Sequence, residues 1–512
     1  MAKILFDLDL GEIHFRDSWQ FEVKSDFIPS PDVPINHYEQ EFYLFIPNSL
    51  QINADSYTKE DFFQDRTKFI RFKTPEYTID QLADDRYPHH PLSHLESMIE
   101  KGMTKETLQT AEYELKLFAN ILRSSLRTQV GILNEKIEKS NNPNEINNDI
   151  LKLSQELMSI RKRYTILQKK YEERWKNSQL NLNLYYVDEF ISDTISYYLM
   201  EILEVVRSSQ VPDAVCDSTI SSILASENKY RYEHFGEKPM AFGDSHAEEY
   251  YVYRRGLLSK YILDALQLNI STSSWISRYS NVIGGIAAGI AMFAYSFTLF
   301  LQTGSLLQGS INSLFLVALT VILYILKDRI KEGIKTLSVR NISRYFPDYT
   351  TIIKSPDNKI KLGKVHESFS FISESRVPHD VSNMRNREFH EVLEAIKRPE
   401  QVIFYKRIID LKTDPQHTGF QGYNIIFRFN IQRFLNKAAN PYTNYLMFDN
   451  ETQKLVENRL PKVYHINIIM KNTYKVKDAI RMELKKFRLV VDKKGIKHID
   501  QLRRQAPEDS EP

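Results

Sequence analysis

The chain has 512 residues, 42% of them apolar and 26% charged, and carries a formal net charge of +2. Such a composition excludes a disordered chain, and the near-balance of charge leaves no global footprint for nucleic acid. Cys216 is the only cysteine, which excludes an intrachain disulfide and any cysteine-rich metal site and fits a reducing compartment.

Residues 1–90 read as a β-rich N-terminal domain. In "KILFDLDLGEIHF" (3–15), Ile4, Phe6, Leu8 and Leu10 alternate with Lys3, Leu5, Asp7 and Asp9. Ile13 and Phe15 continue that period of two, and Trp19, Phe21 and Val23 resume it after a turn. "FYLFIP" (42–47) and "KFIRFKTP" (68–75) predict further strands, with the proline-rich 28–34 as a loop. An acid as early as Asp7, with no long apolar run behind a basic start, predicts no signal peptide. His89, His90 and His94 stand close together, but Pro91 breaks their spacing and Ser93–Glu96 matches a helix capping box, so no metal site is expected.

"FDLDLGEIHF" resembles the first motif of the haloacid-dehalogenase superfamily through Asp7 and Asp9. The resemblance implies Asp7 as nucleophile, Asp9 as general acid and a Rossmann-like sheet whose strand leads into a helix. "FGDSHAEE" (242–249) looks like the same superfamily's metal-binding motif through Asp244 and Glu248. Leu10-Gly11 replaces the superfamily's small residue and threonine, and the following residues alternate as a strand. Solvent-facing strand positions are therefore the preferred reading of Asp7 and Asp9, with phosphatase chemistry as the alternative.

Residues 91–275 predict a helical region. Leu108, Ala111, Leu115, Phe118, Leu122 and Leu126 step by three and four. Ile146, Ile150, Leu153, Leu157, Ile160, Tyr164, Leu167 and Tyr171 do the same after an Asn/Pro break. Sustained heptads predict an antiparallel coiled-coil hairpin over about 104–178, roughly 50 Å long. Further helices are expected near 184–208 and 246–268, the second with an aromatic face suited to lipid headgroups or to an ordinary core.

The 48 residues from Tyr279 to Leu326 contain no charged residue and no histidine. They predict a transmembrane hairpin over 276–327, with spans at about 282–301 and 306–326, since roughly 20 apolar residues cross a bilayer. Lys327, Arg329, Lys331, Lys335, Arg340 and Arg344 crowd the second exit, which places both termini in the cytoplasm. Gly284, Gly285, Ala288 and Gly289 form a small-residue face for packing within the hairpin or against a second copy.

A basic juxtamembrane linker follows at 328–360, then an α+β domain at 361–505 and an acidic tail at 506–512. Helices are expected at 386–397 and 476–486, and a hairpin turning at Asp492–Gly495. No phosphate loop or nucleophile elbow occurs, so neither a cofactor nor nucleic acid is expected. The fold class read from these segments is a multidomain membrane protein: β-rich domain, coiled-coil hairpin, two-helix membrane hairpin and C-terminal α+β domain. The function expected is an integral-membrane scaffold, tether or sensor that contacts lipid and presents two cytoplasmic portions to protein partners. A phosphatase using Asp7 and Asp9 and a subunit of an oligomeric channel are the alternatives.

Overall fold

A computed structural model describes residues 12–502, apart from 31, 88–89, 102–103, 140–142, 175–178, 209–213, 237–244, 307–317, 319–320, 323, 334–345, 357–359, 388–399, 413–421, 450–452 and 477–478. The chain forms two compact units. One joins the segment up to Ile70 with the described residues from Leu268 onward, and the other spans Arg71–Gln267.

The first unit is built on two main sheets, with a separate two-stranded one beside them in sequence. Strands β1 (Glu12–Asp17) and β2 (Gln20–Phe27) form a hairpin, and β2 alternates buried with half-buried residues along its whole length. With β4 (Arg66–Phe72) and β9 (Tyr423–Asn430) they make a four-stranded sheet in the order β1-β2-β9-β4. The larger sheet contains β3 (Ile35–Pro47), β5 (Asn269–Ser274), β6 (Tyr349–Lys354), β7 (Lys361–Ile372), β8 (Glu400–Lys412), β12 (Tyr464–Val476), β13 (Ala479–Asp492) and β14 (Gly495–Leu502). Its order is β14-β13-β12-β3-β8-β7-β6-β5. N-terminal and C-terminal strands thus share both sheets.

Phe21, Val23, Phe427 and Phe429 from the small sheet pack against Phe42, Leu44, Ile403, Tyr405, Ile468 and Phe487 from the large one. On the other side of the large sheet, Tyr43, Phe45, Val402 and Ile469 pack with Val381 of helix α10 (His379–Asn386). Phe42–Ile46 is therefore buried on both faces, which accounts for its unbroken apolar run. Helix α1 (Lys59–Asp65) is started by a Thr58–Asp61 capping box and drives Phe62 into the same core.

Of the stretch 476–486, expected as a helix, residues 479–486 are strand instead: β13 pairs with β12 from Ala479 to Val491 and with β14 from Lys486 to Asp492. Continuous pairing with β12 overrides the helix propensity of its Lys, Glu, Met and Leu residues. The turn at Asp492–Gly495 closes β13 onto β14. Gly495 has φ +127°, and a Cβ there would sit 2.0 Å from the Ser18 carbonyl oxygen, so only glycine fits. The helix expected at 386–397 lies almost wholly outside the described residues, as does the acidic tail.

Strands β5 and β6 pair directly, so residues 275–348 form an excursion between two neighbouring strands. Helix α9 (Trp275–Leu306) opens it. Among the described residues, no helix is long and apolar enough to cross a membrane. This overturns the two-span hairpin over 276–327 and the integral-membrane localisation with cytoplasmic termini. The expected second span is described only in fragments, and the helical residues 324–333 carry Lys327, Asp328, Arg329, Lys331 and Glu332. The juxtamembrane role of 328–360 and the channel reading lose their spans with it.

The second unit is helical: α2 (Ile79–Ala83), α3 (Pro91–Lys101), α4 (Lys105–Lys139), α5 (Pro143–Arg174), α6 (Gln179–Ser208), α7 (Ala214–Phe235) and α8 (Ser245–Leu263). The two heptad series fall on α4 and α5, and every member of the second, from Ile146 to Tyr171, is buried. However, α4 packs chiefly against α6 rather than α5. Leu117, Phe118, Ala119, Ile121 and Leu122 are all buried, which covers α4 nearly all round at mid-length. A helix buried on every side belongs to a bundle core, not to a free two-helix stalk.

Candidate functional site

Directly opposed residues on neighbouring strands share a face of a sheet. In the large sheet Asn472 opposes Gln40, Gln40 opposes Arg407, and Arg407 opposes Glu367. The four make a polar row across four strands, each only 1% exposed. The adjacent row on the same face is Met470, Phe42, Tyr405 and Phe369, so the polar row lies inside the core between the sheets.

The small sheet adds two cations. Arg66 and Lys68 are alternate residues of β4, and both reach Glu367: the Arg66 guanidinium at 3.1 Å, and the Lys68 ammonium by a hydrogen bond. Lys68 also donates to the Thr351 hydroxyl, and the Tyr405 hydroxyl donates to Glu367 at 2.5 Å. Arg407 donates to the Gln40 side-chain oxygen, and Gln40 donates onward to Ser25 Oγ at 3.1 Å. The Arg407 guanidinium lies 5.1 Å from the Phe42 ring centre and 5.6 Å from that of Phe427, one ring from each sheet.

Burial drives the Glu367 carboxyl up, but Lys68 and Arg66 outweigh it and hold the group below the usual carboxylate range. Burial pulls the Lys68 ammonium down to about 8, and Glu367 only partly opposes this. Between that value and the ordinary lysine range the unfolded chain holds a proton that the folded chain has released, so stability rises with pH. From pH 8 to 10 the wild-type protein should gain on Lys68→Met at up to about 1.4 kcal/mol per pH unit. Paired urea titrations at pH 8, 9 and 10 measure this; parallel curves would refute it.

The helical unit holds a second buried ionic group with a different balance. Arg161 of α5 bonds Asp188 and lies 3.5 Å from Glu227, whose carboxylate accepts from Ser192 at 2.5 Å. Arg254 grips Glu189 with two bonds of 2.8 and 2.6 Å, and Arg255 meets Asp193 at 2.9 Å. Every one of these carboxylates has an arginine. No cluster able to hold a metal ion occurs among the described residues.

Asp7, Asp9 and Asp244 lie outside the described residues, and Glu248 is exposed on α8. Every strand pair with a described register is antiparallel, unlike the Rossmann-like sheet that the dehalogenase resemblance implied. His90 is buried, with Nε2 2.8 Å from the Leu82 carbonyl and Nδ1 accepting from the Leu92 amide at 3.0 Å; exposed His94 meets Glu114 at 3.5 Å. His89 is outside the described residues.

A Cβ on Gly284, Gly285 or Gly289 would meet nothing within 4 Å, and Ala288 is half-buried. The covered face of α9 is Ala287 and Ala291 instead. Lys327 sits 3.9 Å over the Tyr324 ring and 6.0 Å from that of Tyr295. Arg329 is exposed and Lys331 half-buried, while Lys335, Arg340 and Arg344 are outside the described residues.

The sequence reading missed the polar row, although a signal for it exists. Gln40 lies in phase with Tyr38 and Phe42, Glu367 with Val365 and Phe369, and Arg407 with Tyr405 and Ile409. A charge at an apolar position of a period-two strand must find a buried partner.

Compared with family models, curated proteins and solved structures, the chain matches none.

Proposed function

We propose that the protein is a binding scaffold that assembles with protein partners, a second copy of the chain among them. The observation that supports this best is the hairpin of β10 (Tyr442–Asp449) and β11 (Lys454–Pro461), whose two strands form a sheet of their own. Tyr445 and Met447 project to one face, Leu446 and Phe448 to the other, and all four are exposed. Leu455, Val456 and Leu460 are exposed on the partner strand. A two-stranded hairpin is marginal alone in water, and contiguous exposed apolar surface marks interaction sites.

Replacing Leu446, Phe448 and Leu455 together with Glu removes this surface without touching either core. Sedimentation of the purified chain and quantitative affinity purification then read self-association and partner capture. The variant should bind at least about tenfold more weakly than wild type while melting at the same temperature. A variant that keeps the wild-type oligomeric state and every wild-type partner would refute the scaffold reading.

A further inference from the structure

The two buried ionic groups differ in charge balance. In the helical unit four arginines face four carboxylates, since Arg231, 3.7 Å from Asp193, stands beside Arg161, Arg254 and Arg255. Between the sheets, among the described residues, Arg66, Lys68 and Arg407 surround Glu367 alone, with side chains 7%, 7% and 1% exposed for Arg66, Lys68 and Glu367, and Arg407 itself 1% exposed. Three cations therefore share one carboxylate. Tyr405 adds no charge, since burial and the adjacent Glu367 raise its hydroxyl far above neutral pH. An uncompensated positive charge in an apolar interior is costly, and arginine cannot shed its proton to escape that cost.

A second observation concerns hydrogen bonds. The Nε atoms of both Arg66 and Arg407 are buried and have no hydrogen-bond partner among the described residues. A buried guanidinium N–H without an acceptor is itself destabilising. Both deficits, of negative charge and of acceptors, fall on the same group of side chains. Arg66 and Lys68 come from β4, the edge strand of the four-stranded sheet, whereas Arg407 and Glu367 lie on the interior strands β8 and β7 of the large one.

We propose that Arg66, Lys68 and Arg407 form a binding site for a small inorganic oxyanion of the phosphate or sulfate class. Such a dianion supplies the two missing negative charges and the acceptors that the free N–H groups require. Guanidinium groups favour tetrahedral oxyanions over a simple halide because their donors are directional. The site is independent of the β10–β11 surface, and neither proposal requires the other.

Thermal unfolding and titration calorimetry of the full chain at pH 7 test this. Sodium phosphate or sulfate replaces sodium gluconate at constant ionic strength, with chloride as a third arm. The wild-type protein should show saturable binding of one oxyanion and a saturable rise in Tm, because a ligand that binds only the native state stabilises it by mass action. Chloride should reproduce neither. Lys68→Met removes one buried cation while leaving Glu367 paired with Arg66, so it should fold and lose oxyanion affinity by roughly tenfold or more. A Tm that climbs equally in wild type and variant is a general salting effect and would overturn the site. So would absence of binding heat in wild type, or chloride matching the oxyanions.

Discussion

Glu367→Gln should lower the stability of the β unit by roughly 3–5 kcal/mol, the usual cost of breaking a buried ion pair from one side. Among the described residues the carboxylate is the sole acidic group beside Arg66, Lys68 and Arg407, and it also accepts from Tyr405. Glutamine keeps the volume and one acceptor but leaves three cations facing each other. Adding Lys68→Met to Glu367→Gln should recover part of the loss, because the two residues touch and their effects are not additive. Urea unfolding followed by near-ultraviolet circular dichroism measures both. A loss below about 1 kcal/mol for the single variant would show that Glu367 does not neutralise the cluster.

Several strands of this unit were legible because they carry a period of their own. Residues 20–27 alternate, and the doubly buried 42–46 is continuously apolar. Their partners were not legible. Strand β2 pairs with β9 about four hundred residues later, Gln20 against Asn430, and no local pattern announces a pairing of that range. The polar row needs three such pairings at once, since Gln40, Arg407 and Glu367 become neighbours only when β3, β8 and β7 lie side by side.

The central apolar window failed differently. Its freedom from charge is a fact of composition, and composition does not record that β5 and β6 bracket it as adjacent strands. Helix spacing in 146–171 identified the buried residues of α5 correctly, but a heptad does not say how many helices cover it.

Arg161→Met should destabilise the helical unit by a similar amount, about 3–5 kcal/mol, and for the opposite electrostatic reason. Arg161 comes from α5 and stands between Asp188 of α6 and Glu227 of α7, with its side chain 13% exposed. It also lies 4.5 Å over the ring of Tyr230, whose hydroxyl donates to Asp188 at 2.6 Å. Methionine restores the bulk but strands two buried carboxylates. A carboxylate deprived of its cation has its folded pKa raised, so the native variant binds more protons than its unfolded chain. Its stability must then rise as pH falls toward that pKa, and the deficit against wild type should narrow from pH 7 to pH 5. Neutralising the acids as well, with Asp188→Asn and Glu227→Gln in the Arg161→Met background, should recover much of the loss at pH 7 and abolish the narrowing. Loss of packing alone would leave the deficit independent of pH and unmoved by the amides, so the pH series separates a charge-matching role for Arg161 from a space-filling one.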